Sequence, residues 1–328
     1  MRFSKPRGQI NLRKQRILVT GGTGFIGAHI VEALVRRKTQ VVCTYTAQNP
    51  QSYFFQKKLD RSVILVKVDV RDFSQIYHLV TRFKIDYILH LAAQALVEVA
   101  YFDPKQTLET NILGTVNVLE CARLYQQIKG VIVASSDKAY GKQVKSKTAY
   151  LETDQLRGDH PYEVSKSAAD LIAQTYYKTF QVPVTVTRFG NVYGEGDLNF
   201  SRIIPGLVKA LVQKETLEIR SDGTFVRDFI YVKDVVSGYL ALLQNLEKYK
   251  GEVFNFSSHE TLSVLELVNR AGKILHKKIN YKIMESQKNE IPYQSLDFAK
   301  ATKLLGFKPR YTIAKVLPKV YLWYSRLL

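Results

Sequence analysis

The sequence predicts an α/β fold, a doubly wound parallel sheet with a smaller C-terminal α/β region. Across residues 16–190, short apolar runs typical of buried strands alternate with longer segments of helical periodicity. In residues 191–328 the strands and helices are shorter, and no second glycine-rich loop occurs. We expect residues 16–190 to form one domain and residues 191–328 to form mainly a second region. The two are expected to be interleaved, because segments late in the chain return to the sheet of the first domain.

A glycine-rich loop separates the first predicted strand, residues 16–20, from a helix expected at residues 28–37. In such a loop the first glycine permits a tight turn, the second lets the backbone approach a pyrophosphate, and the third lets helix pack on strand. The helix N-terminus then supplies N–H groups for the phosphates. We therefore predict that a dinucleotide binds at Gly21, Thr23, Gly24, Phe25, Ile26 and Gly27.

The next two strands bear on the choice of cofactor. After residues 40–45, an acidic residue would bind the ribose 2′-hydroxyl, but none occurs before Asp60, and no arginine follows closely to favour a 2′-phosphate. These residues leave the choice between NAD and NADP open. Asp69 and Val70, after the third strand, are assigned to the adenine end of the cofactor. Asp69 has an alternative role as the cap of a helix over residues 73–83.

Small residues follow the fourth predicted strand and precede a helix expected at residues 104–125. Small side chains let the backbone come close to the middle of a bound cofactor. His90, near the end of the strand, is interpreted as a packed histidine rather than a ligand. Cofactor contacts are assigned to Leu91, Ala92, Ala93 and Gln94, together with Asn111 on the helix.

Hydroxyl and ionisable residues follow the fifth predicted strand, residues 131–134, and a helix begins near Tyr162. Tyr162 and Lys166 are four residues apart and therefore share one helical face. An ammonium beside a phenol stabilises the phenolate and lowers the tyrosine pKa, which provides a base usable near neutral pH. Asp137 and Lys138 either complete this site or form an ion pair within the loop. The predicted catalytic residues are Ser136, Asp137, Lys138, Tyr162 and Lys166.

These motifs all follow strands of a parallel sheet, and ligands bind at the carboxyl ends of such strands. The second region adds Arg202, Arg220 and Arg227. Guanidinium groups pair with phosphate oxygens through two parallel hydrogen bonds, so these arginines are candidates for binding an anionic substrate.

The bulk composition is that of a folded globular protein, with 46% hydrophobic residues and a net charge of +19. Because the lysines and arginines are scattered, we interpret the charge as a basic surface that favours anionic substrates rather than nucleic acid. No apolar run approaches the ~20 residues of a membrane span. The basic leader, residues 1–15, is expected to be disordered or to cover a neighbouring subunit. Cys43 and Cys121 suit buried thiols in a reducing compartment, which predicts a cytoplasmic protein without a metal site.

Five motifs, taken in order, resemble those of extended short-chain dehydrogenase/reductases that act on nucleotide sugars. They lie at residues 20–27, 90–94, 162–166, 188–194 and 227–229. The resemblance covers about residues 16 to 325. At residues 135–138 and 159–162 the sequence is most similar to CDP-glucose 4,6-dehydratases, although Glu98 stands where those enzymes carry an arginine.

This resemblance implies an NAD-binding Rossmann domain at residues 16–190 and a nucleotide-sugar-binding region in residues 191–328. NADP stays an alternative cofactor. By motif position, Asn191 and Arg227 are placed at the diphosphate. The full set of substrate contacts is assigned as Gln94, Ser136, Asn191, Arg202, Arg220, Arg227 and Asn255.

The resemblance also implies a mechanism. Tyr162 takes the proton of the sugar C4 hydroxyl while hydride leaves C4 for the nicotinamide. Ser136 bonds to that oxygen, and Lys166 holds the ribose. Asp137 then protonates the departing C6 hydroxyl, and Lys138 either acts as the base at C5 or stabilises the enolate. A 4-keto-6-deoxy sugar results.

Rival functions share most of these residues. A nucleotide-sugar 4-epimerase would use Tyr162, Lys166 and Ser136 but needs no acid at position 137, and other nucleotide-sugar dehydratases would use nearly the same set. A non-catalytic nucleic-acid binder is a distant alternative supported only by the net charge. The resemblance further implies a homodimer, through paired helices around residues 104–125 and 162–179.

Overall fold

The computed structural model describes residues 10–142, 149–285 and 291–328. Residues 1–9 of the predicted leader lie outside the described residues. The rest of the leader contacts the protein, since Leu12 is buried in the core and the Ile10 N–H donates to the Gln244 carbonyl at 3.0 Å. No helix in these described ranges is long and apolar enough to cross a membrane.

Twelve strands and twelve α-helices make up the regular structure of the described ranges. The strands are β1 Arg16–Thr20, β2 Gln40–Tyr45, β3 Ile64–Lys67, β4 Tyr87–His90, β5 Gly130–Ala134, β6 Val184–Phe189, β7 Asn191–Tyr193, β8 Leu217–Ile219, β9 Val226–Tyr231, β10 Val253–Phe256, β11 Thr261–Ser263 and β12 Tyr281–Ile283. The helices are α1 Phe25–Arg36, α2 Tyr53–Gln56, α3 Phe73–Arg82, α4 Val97–Phe102, α5 Pro104–Leu108, α6 Gly114–Leu124, α7 Pro161–Phe180, α8 Ile203–Gln213, α9 Val232–Gln244, α10 Val264–Leu275, α11 Ala299–Leu305 and α12 Ile313–Ser325.

Seven strands pair in parallel in the order β10-β6-β5-β4-β1-β2-β3, which confirms the predicted doubly wound sheet. From β1 the chain runs outward to β3, and it then returns to β4 on the other side of β1. Thr20 at the end of β1 lies opposite His90 at the end of β4. The strand order reverses at this point, and open α/β sheets bind their ligands at such a point.

The second half of the chain contributes to both parts of the fold. Strand β10 pairs with β6 at the edge of the large sheet, and α9 packs against α1. The remaining strands form two small sheets, β11-β9-β7 and β12-β8. Helices α8, α10 and α12 cover them around a core that includes Leu207, Phe229 and Leu317. This arrangement places the second region beside the carboxyl edge of the large sheet.

Some predicted element boundaries are wrong. Helix α1 begins at Phe25 rather than residue 28, because Gly24 is already its N-cap. The helix expected at 104–125 is interrupted by a π-helical turn, Glu109–Leu113, between α5 and α6. Such turns redirect side chains within a helix and recur at functional sites. The short helices α2 and α4 were not predicted.

Candidate active site

A cavity of about 810 Å³ opens at the carboxyl ends of the central strands and extends into the second region. The five predicted catalytic residues all line it. The predicted cofactor-binding and substrate-binding residues line it as well, with two exceptions, Asn111 and Asn255. The topology therefore brings together residues that are far apart in the sequence.

The glycine-rich loop is packed too tightly to accept side chains. Gly21 has φ +65°, and a Cβ there would lie 2.8 Å from the Ala92 backbone. A Cβ on Gly27 would lie 2.4 Å from the Gly21 carbonyl oxygen. These close approaches let α1 begin directly at the cavity wall, where the N–H groups of its first turn can bind phosphate oxygens.

His90 is a packed histidine, as predicted. Its ring nitrogens lie 2.8 Å from Thr20 Oγ1 and 3.2 Å from Thr115 Oγ1. Burial, reinforced by the nearby Lys166 ammonium, lowers the pKa of His90 to about 3. The neutral imidazole therefore ties β1 and β4 to α6 beneath the cavity.

Asn111 supports the site from behind instead of lining the cavity. Its Oδ1 accepts a hydrogen bond from the Gln94 N–H at 2.8 Å, and its Nδ2 donates to the Gln94 carbonyl at 3.0 Å. Nδ2 also donates to Ser165 Oγ at 2.8 Å. The π-helical turn that carries Asn111 thus joins the segment after β4 to helix α7.

Asp69 lies at the cavity wall with Val70 and does not cap a helix. The N-cap of α3 is Asp72, which accepts a hydrogen bond from the Gln75 N–H, so the alternative role for Asp69 is wrong. The Asp69 carboxylate pairs with the Arg71 guanidinium at 2.6 Å. This partner holds the pKa of Asp69 below its usual value.

Tyr162 and Lys166 face the cavity from one side of α7, but the expected effect of the lysine on the phenol is wrong. Burial raises the pKa of Tyr162 to about 12, and the opposing influences come from Arg202 and Ser136. The Lys166 ammonium donates to the Ala134 carbonyl oxygen at 3.0 Å, and burial lowers its pKa to about 8. Burial removes both groups from water and so disfavours the charged form of each. The spacing of Tyr162 and Lys166 in the sequence does not reveal how deeply they are buried.

Ser136, Asp137 and Lys138 lie at the end of β5. Ser136 Oγ donates to Asp137 Oδ1 at 2.9 Å, and Asp137 Oδ2 is buried with no hydrogen-bond partner among the described residues. Lys138 Nζ donates to Gln294 Oε1 at 3.1 Å, so in the described part of the chain the lysine is not paired with Asp137. The alternative of a loop ion pair between these neighbours is therefore wrong.

Unpaired buried polar atoms are concentrated at this cavity. Within the described ranges, eight buried side-chain atoms lack a hydrogen-bond partner, and six of them belong to cavity-lining residues. An unpaired buried polar atom costs about 1–3 kcal/mol. The cavity therefore fits ligands with many hydrogen-bonding groups, such as a dinucleotide and a sugar. The six atoms are Ser135 Oγ, Asp137 Oδ2, His160 Nε2, Asn191 Nδ2, Tyr193 Oη and Gln294 Nε2.

Two of the predicted substrate arginines are held by carboxylates that were not predicted as their partners. Arg202 pairs with the buried Asp197 at 3.0 Å. Arg220 pairs with Glu98 on α4 and also donates to the Ser201 carbonyl at 2.9 Å. Glu98 and Arg220 are 122 positions apart, so no local pattern signals their contact.

Arg227 lies at the second region's side of the cavity. Its Nη1 donates to the Val226 carbonyl at 2.8 Å, and its guanidinium lies 5.6 Å from the centre of the Phe225 ring. These contacts orient the side chain from the end of strand β9. Asn191, on β7, also lines the cavity.

Asn255 lies away from the cavity, and its assignment as a substrate contact is not supported by its position. Oδ1 accepts from the Tyr140 hydroxyl at 2.8 Å, and Nδ2 donates to the Tyr150 carbonyl at 3.0 Å. Its own N–H donates to Glu152 at 2.9 Å. The residue is fully buried on β10 and joins that edge strand to the segment around Tyr150.

Comparisons with known proteins agree with this geometry. The NAD dependent epimerase/dehydratase family matches residues 17–257. A CDP-glucose 4,6-dehydratase from Salmonella typhimurium is 29% identical over 95% of this chain and 90% of its own length. A UDP-glucuronic acid 4-epimerase from Bacillus cereus, solved with UDP-glucuronic acid and NAD, superposes with a TM-score of 0.87 at 26% identity, covering 95% and 100% of the two chains. A dTDP-glucose 4,6-dehydratase from Streptomyces venezuelae, solved with NAD, gives 0.86 at 27% identity, covering 95% and 97%.

Proposed function

We propose a specific activity for this chain, which belongs to the NAD-dependent epimerase/dehydratase family: it is a nucleotide-sugar 4,6-dehydratase. At the level of the family, it is an enzyme that uses NAD in the epimerisation or dehydration of nucleotide-diphosphate sugars. The observation that supports dehydration is Asp137, a buried carboxyl group beside Ser136 in the cavity with one oxygen unpaired among the described residues. An epimerase restores hydride and proton at the same carbon and has no use for this second acid.

The first half of the reaction oxidises the sugar at C4. NAD, when bound, accepts a hydride from the substrate and returns it within the same turnover. Tyr162 accepts the proton of the C4 hydroxyl, and Ser136 hydrogen-bonds the same oxygen. The phenol has to be ionised to accept this proton, and Arg202 and Ser136 both favour its ionised form against the effect of burial on the Tyr162 pKa. Lys166, fixed by the Ala134 carbonyl, holds the ribose of the cofactor.

The second half removes water across C5 and C6. The C4 ketone makes the C5 proton removable, which is why oxidation comes first. Asp137 gives its proton to the C6 oxygen as the C6–O bond breaks. Lys138, whose Nζ is held at the cavity wall by Gln294, acts as a neutral amine that accepts the C5 proton, and it returns this proton to C5 when the hydride reaches C6.

The substrate is proposed to be CDP-glucose or a related nucleotide hexose. Asn191 and Arg227 are assigned to its diphosphate, and Arg202 and Arg220 to the same anionic end. Their guanidinium groups suit phosphate oxygens. The related proteins act on CDP-, dTDP- and UDP-linked sugars, so the nucleotide is the part of this proposal that the assay must identify.

Incubation of the purified, NAD-loaded protein with CDP-glucose, dTDP-glucose, GDP-mannose and UDP-sugars, followed by mass spectrometry, tests the function. A product lighter by one water, formed without net NADH, is the expected result, and it identifies the nucleotide. A product of unchanged mass with an altered sugar configuration would instead identify a 4-epimerase. That outcome would remove the roles proposed for Asp137 and Lys138.

We also propose a homodimer that pairs α6 and α7 with the same helices of a second copy. Leu113, Leu124 and Leu171 are exposed on or beside these helices. Burial of exposed leucines would stabilise such a contact. Sedimentation velocity of the purified protein checks this, and a monomer at micromolar concentration would contradict it.

A further inference from the structure

We propose that Gln294 is a positioning residue for the proton transfer at C5. Its amide oxygen fixes the side chain of Lys138, and its amide nitrogen donates a hydrogen bond to an oxygen of the hexose. This inference rests on the proposed dehydratase function. Gln294 was not among the residues predicted from the sequence to form the site.

Gln294 contacts the lysine that is assigned to C5. Lys138 Nζ donates to Gln294 Oε1 at 3.1 Å, and both residues line the cavity. The glutamine is 1% exposed, and its Nε2 has no hydrogen-bond partner among the described residues. A side-chain amide has an acceptor oxygen and a nitrogen with two donor hydrogens. One end of this amide is therefore used on the protein, and the other is available to a ligand.

The backbone around Gln294 is attached to strand β9. Its N–H donates to the Val226 carbonyl at 3.1 Å, and the Val226 N–H donates to the Pro292 carbonyl at 2.9 Å. Two residues further on, the Leu296 N–H donates to the buried carboxylate of Asp228 at 2.7 Å. The glutamine side chain therefore starts from a fixed backbone position. A reacting group needs such support, because its geometry has to be held within narrow limits.

An amide oxygen suits a lysine that gains a proton and then returns it. The neutral amine of Lys138 uses its lone pair to accept the C5 proton, and the electron pair of the broken C5–H bond forms the enolate. Because the lone pair has to face C5, the amine can bond to Gln294 only through one of its N–H groups. The ammonium that results keeps this N–H group, so the hydrogen bond persists through the transfer and its reversal. A carboxylate at this place would instead favour the ammonium and oppose the return of the proton.

The nitrogen of the same amide is directed to the substrate. Oε1 and Nε2 belong to one planar group, so an Oε1 that holds the lysine near C5 leaves Nε2 close to the atoms bonded to C5. Hexose oxygens lie on both sides of C5, at C4, at C6 and in the ring. A buried donor without a partner is destabilising, so a hexose oxygen that accepts from Nε2 strengthens binding.

The first test uses Gln294→Met, which keeps the approximate length of the side chain but neither of its hydrogen bonds. The protein is mixed rapidly with CDP-glucose, or with whichever nucleotide sugar the assay above identifies. Bound NADH is followed by absorbance and the dehydrated product by mass spectrometry. We expect C4 oxidation to stay within about threefold of the wild-type rate, and water loss to slow about tenfold or more, because the lysine is no longer held within reach of C5. Bound NADH should therefore accumulate.

Lys138→Met is the matched control. It should give the same accumulation of bound NADH. At saturating substrate, the double variant should be no slower than Lys138→Met, because Gln294 affects the rate through the lysine and the two effects are then not additive. Thermal melts and NAD contents that match the wild type confirm that the variants are folded and loaded.

The second test measures the contact between Nε2 and the hexose without turnover. Gln294→Met is introduced into a Tyr162→Phe protein, and binding is measured by isothermal titration calorimetry. We expect Gln294→Met to weaken binding of the nucleotide sugar by about 2–10-fold, which corresponds to one lost hydrogen bond. Binding of the matching nucleoside diphosphate, which lacks the hexose, should be unchanged.

Three results would overturn the role of Gln294 while leaving the proposed function intact. Equal slowing of C4 oxidation and water loss would make Gln294 a structural residue. A double variant clearly slower than Lys138→Met would mean that Gln294 does not act through the lysine. Equal weakening of nucleotide-sugar and nucleoside-diphosphate binding would remove the contact with the hexose. A wild-type protein that forms no dehydrated product would contradict the proposed function itself, and the role of Gln294 would fall with it.

Discussion

Two buried aspartates next to the Tyr162 helix differ in how completely their oxygens are paired. Asp170, on α7 itself, accepts two hydrogen bonds from Arg188 at 2.7 and 2.9 Å and a third from Gln174 at 2.8 Å. Asp137, at the end of β5, accepts one from Ser136, and its second oxygen has no partner in the described residues. Both side chains are nearly inaccessible to solvent.

This difference in pairing suggests different roles, structural for Asp170 and chemical for Asp137. Arg188 extends the network of Asp170 to the Tyr140 hydroxyl at 2.6 Å and the Glu152 carbonyl at 3.1 Å. This network lies beneath the 3₁₀ turn Asp137–Tyr140 and fixes it against α7. Completely paired buried groups stabilise one conformation, whereas an unpaired oxygen at a cavity wall is available to a ligand.

The largest expected effect on stability is at the paired aspartate. Asp170→Asn leaves the buried Arg188 guanidinium without its carboxylate, and we expect a loss of about 3–5 kcal/mol in the free energy of unfolding. Urea denaturation followed by circular dichroism measures it. The matched variant Asp137→Asn keeps an oxygen that accepts from the Ser136 hydroxyl and breaks no ion pair among the described residues, so it should change the free energy of unfolding by less than about 1 kcal/mol. Equal losses in the two variants would contradict the distinction drawn between these residues.

The order of the two variants should be reversed in catalysis, where Asp137→Asn is expected to lose more activity than Asp170→Asn. Asp137→Asn cannot donate the proton that water loss requires, so we expect dehydration to fall by about 10²–10⁴-fold. NAD content, measured after denaturing the purified protein, should be unchanged. At a temperature where Asp170→Asn is still folded, its turnover per folded molecule should stay within about tenfold of the wild type. Full dehydratase turnover in Asp137→Asn would remove this residue from the mechanism.

The sequence was sufficient for features that depend on local spacing. Glycines at 21, 24 and 27 between a strand and a helix predict a close backbone approach, which the contacts of Gly21 and Gly27 confirm. Strand periodicity correctly predicts the doubly wound sheet. The separation of Tyr162 and Lys166 predicts a shared helical face, and both residues line the cavity.

Features that depend on long-range contacts could not be predicted. The resemblance assigns Asn255 to the substrate, but the pairing of β10 with β6 directs it into a buried network with Tyr140 and Tyr150. The high pKa of Tyr162 arises from burial by several elements, which the neighbouring lysine in the sequence does not reveal. Glu98 becomes evident as the partner of Arg220 only when two segments 122 positions apart come together at the cavity.

A smaller effect on stability is expected at His90. Both of its ring nitrogens are paired, as the oxygens of Asp170 are, but the imidazole can still gain a charge at low pH. In the folded protein its pKa is about 3, whereas an unfolded histidine has its ordinary value of about 6.5. As the pH falls below about 6.5, the unfolded chain binds a proton that the folded protein does not, so stability decreases. We expect His90 to account for about 2 kcal/mol of the stability lost between pH 7.5 and pH 5.

Urea denaturation of the wild type and His90→Gln at pH 7.5 and pH 5 isolates this contribution. The variant should be less stable at pH 7.5, because the hydrogen bonds to Thr20 and Thr115 are disturbed, but it should lose less stability on acidification. Identical losses in both proteins would mean that His90 is protonated in the folded state at pH 5. Hydrogen bonds to both ring nitrogens would then not be enough to keep a buried histidine neutral. Of the two residues, only Asp170 would remain an example of a buried group with a purely structural role.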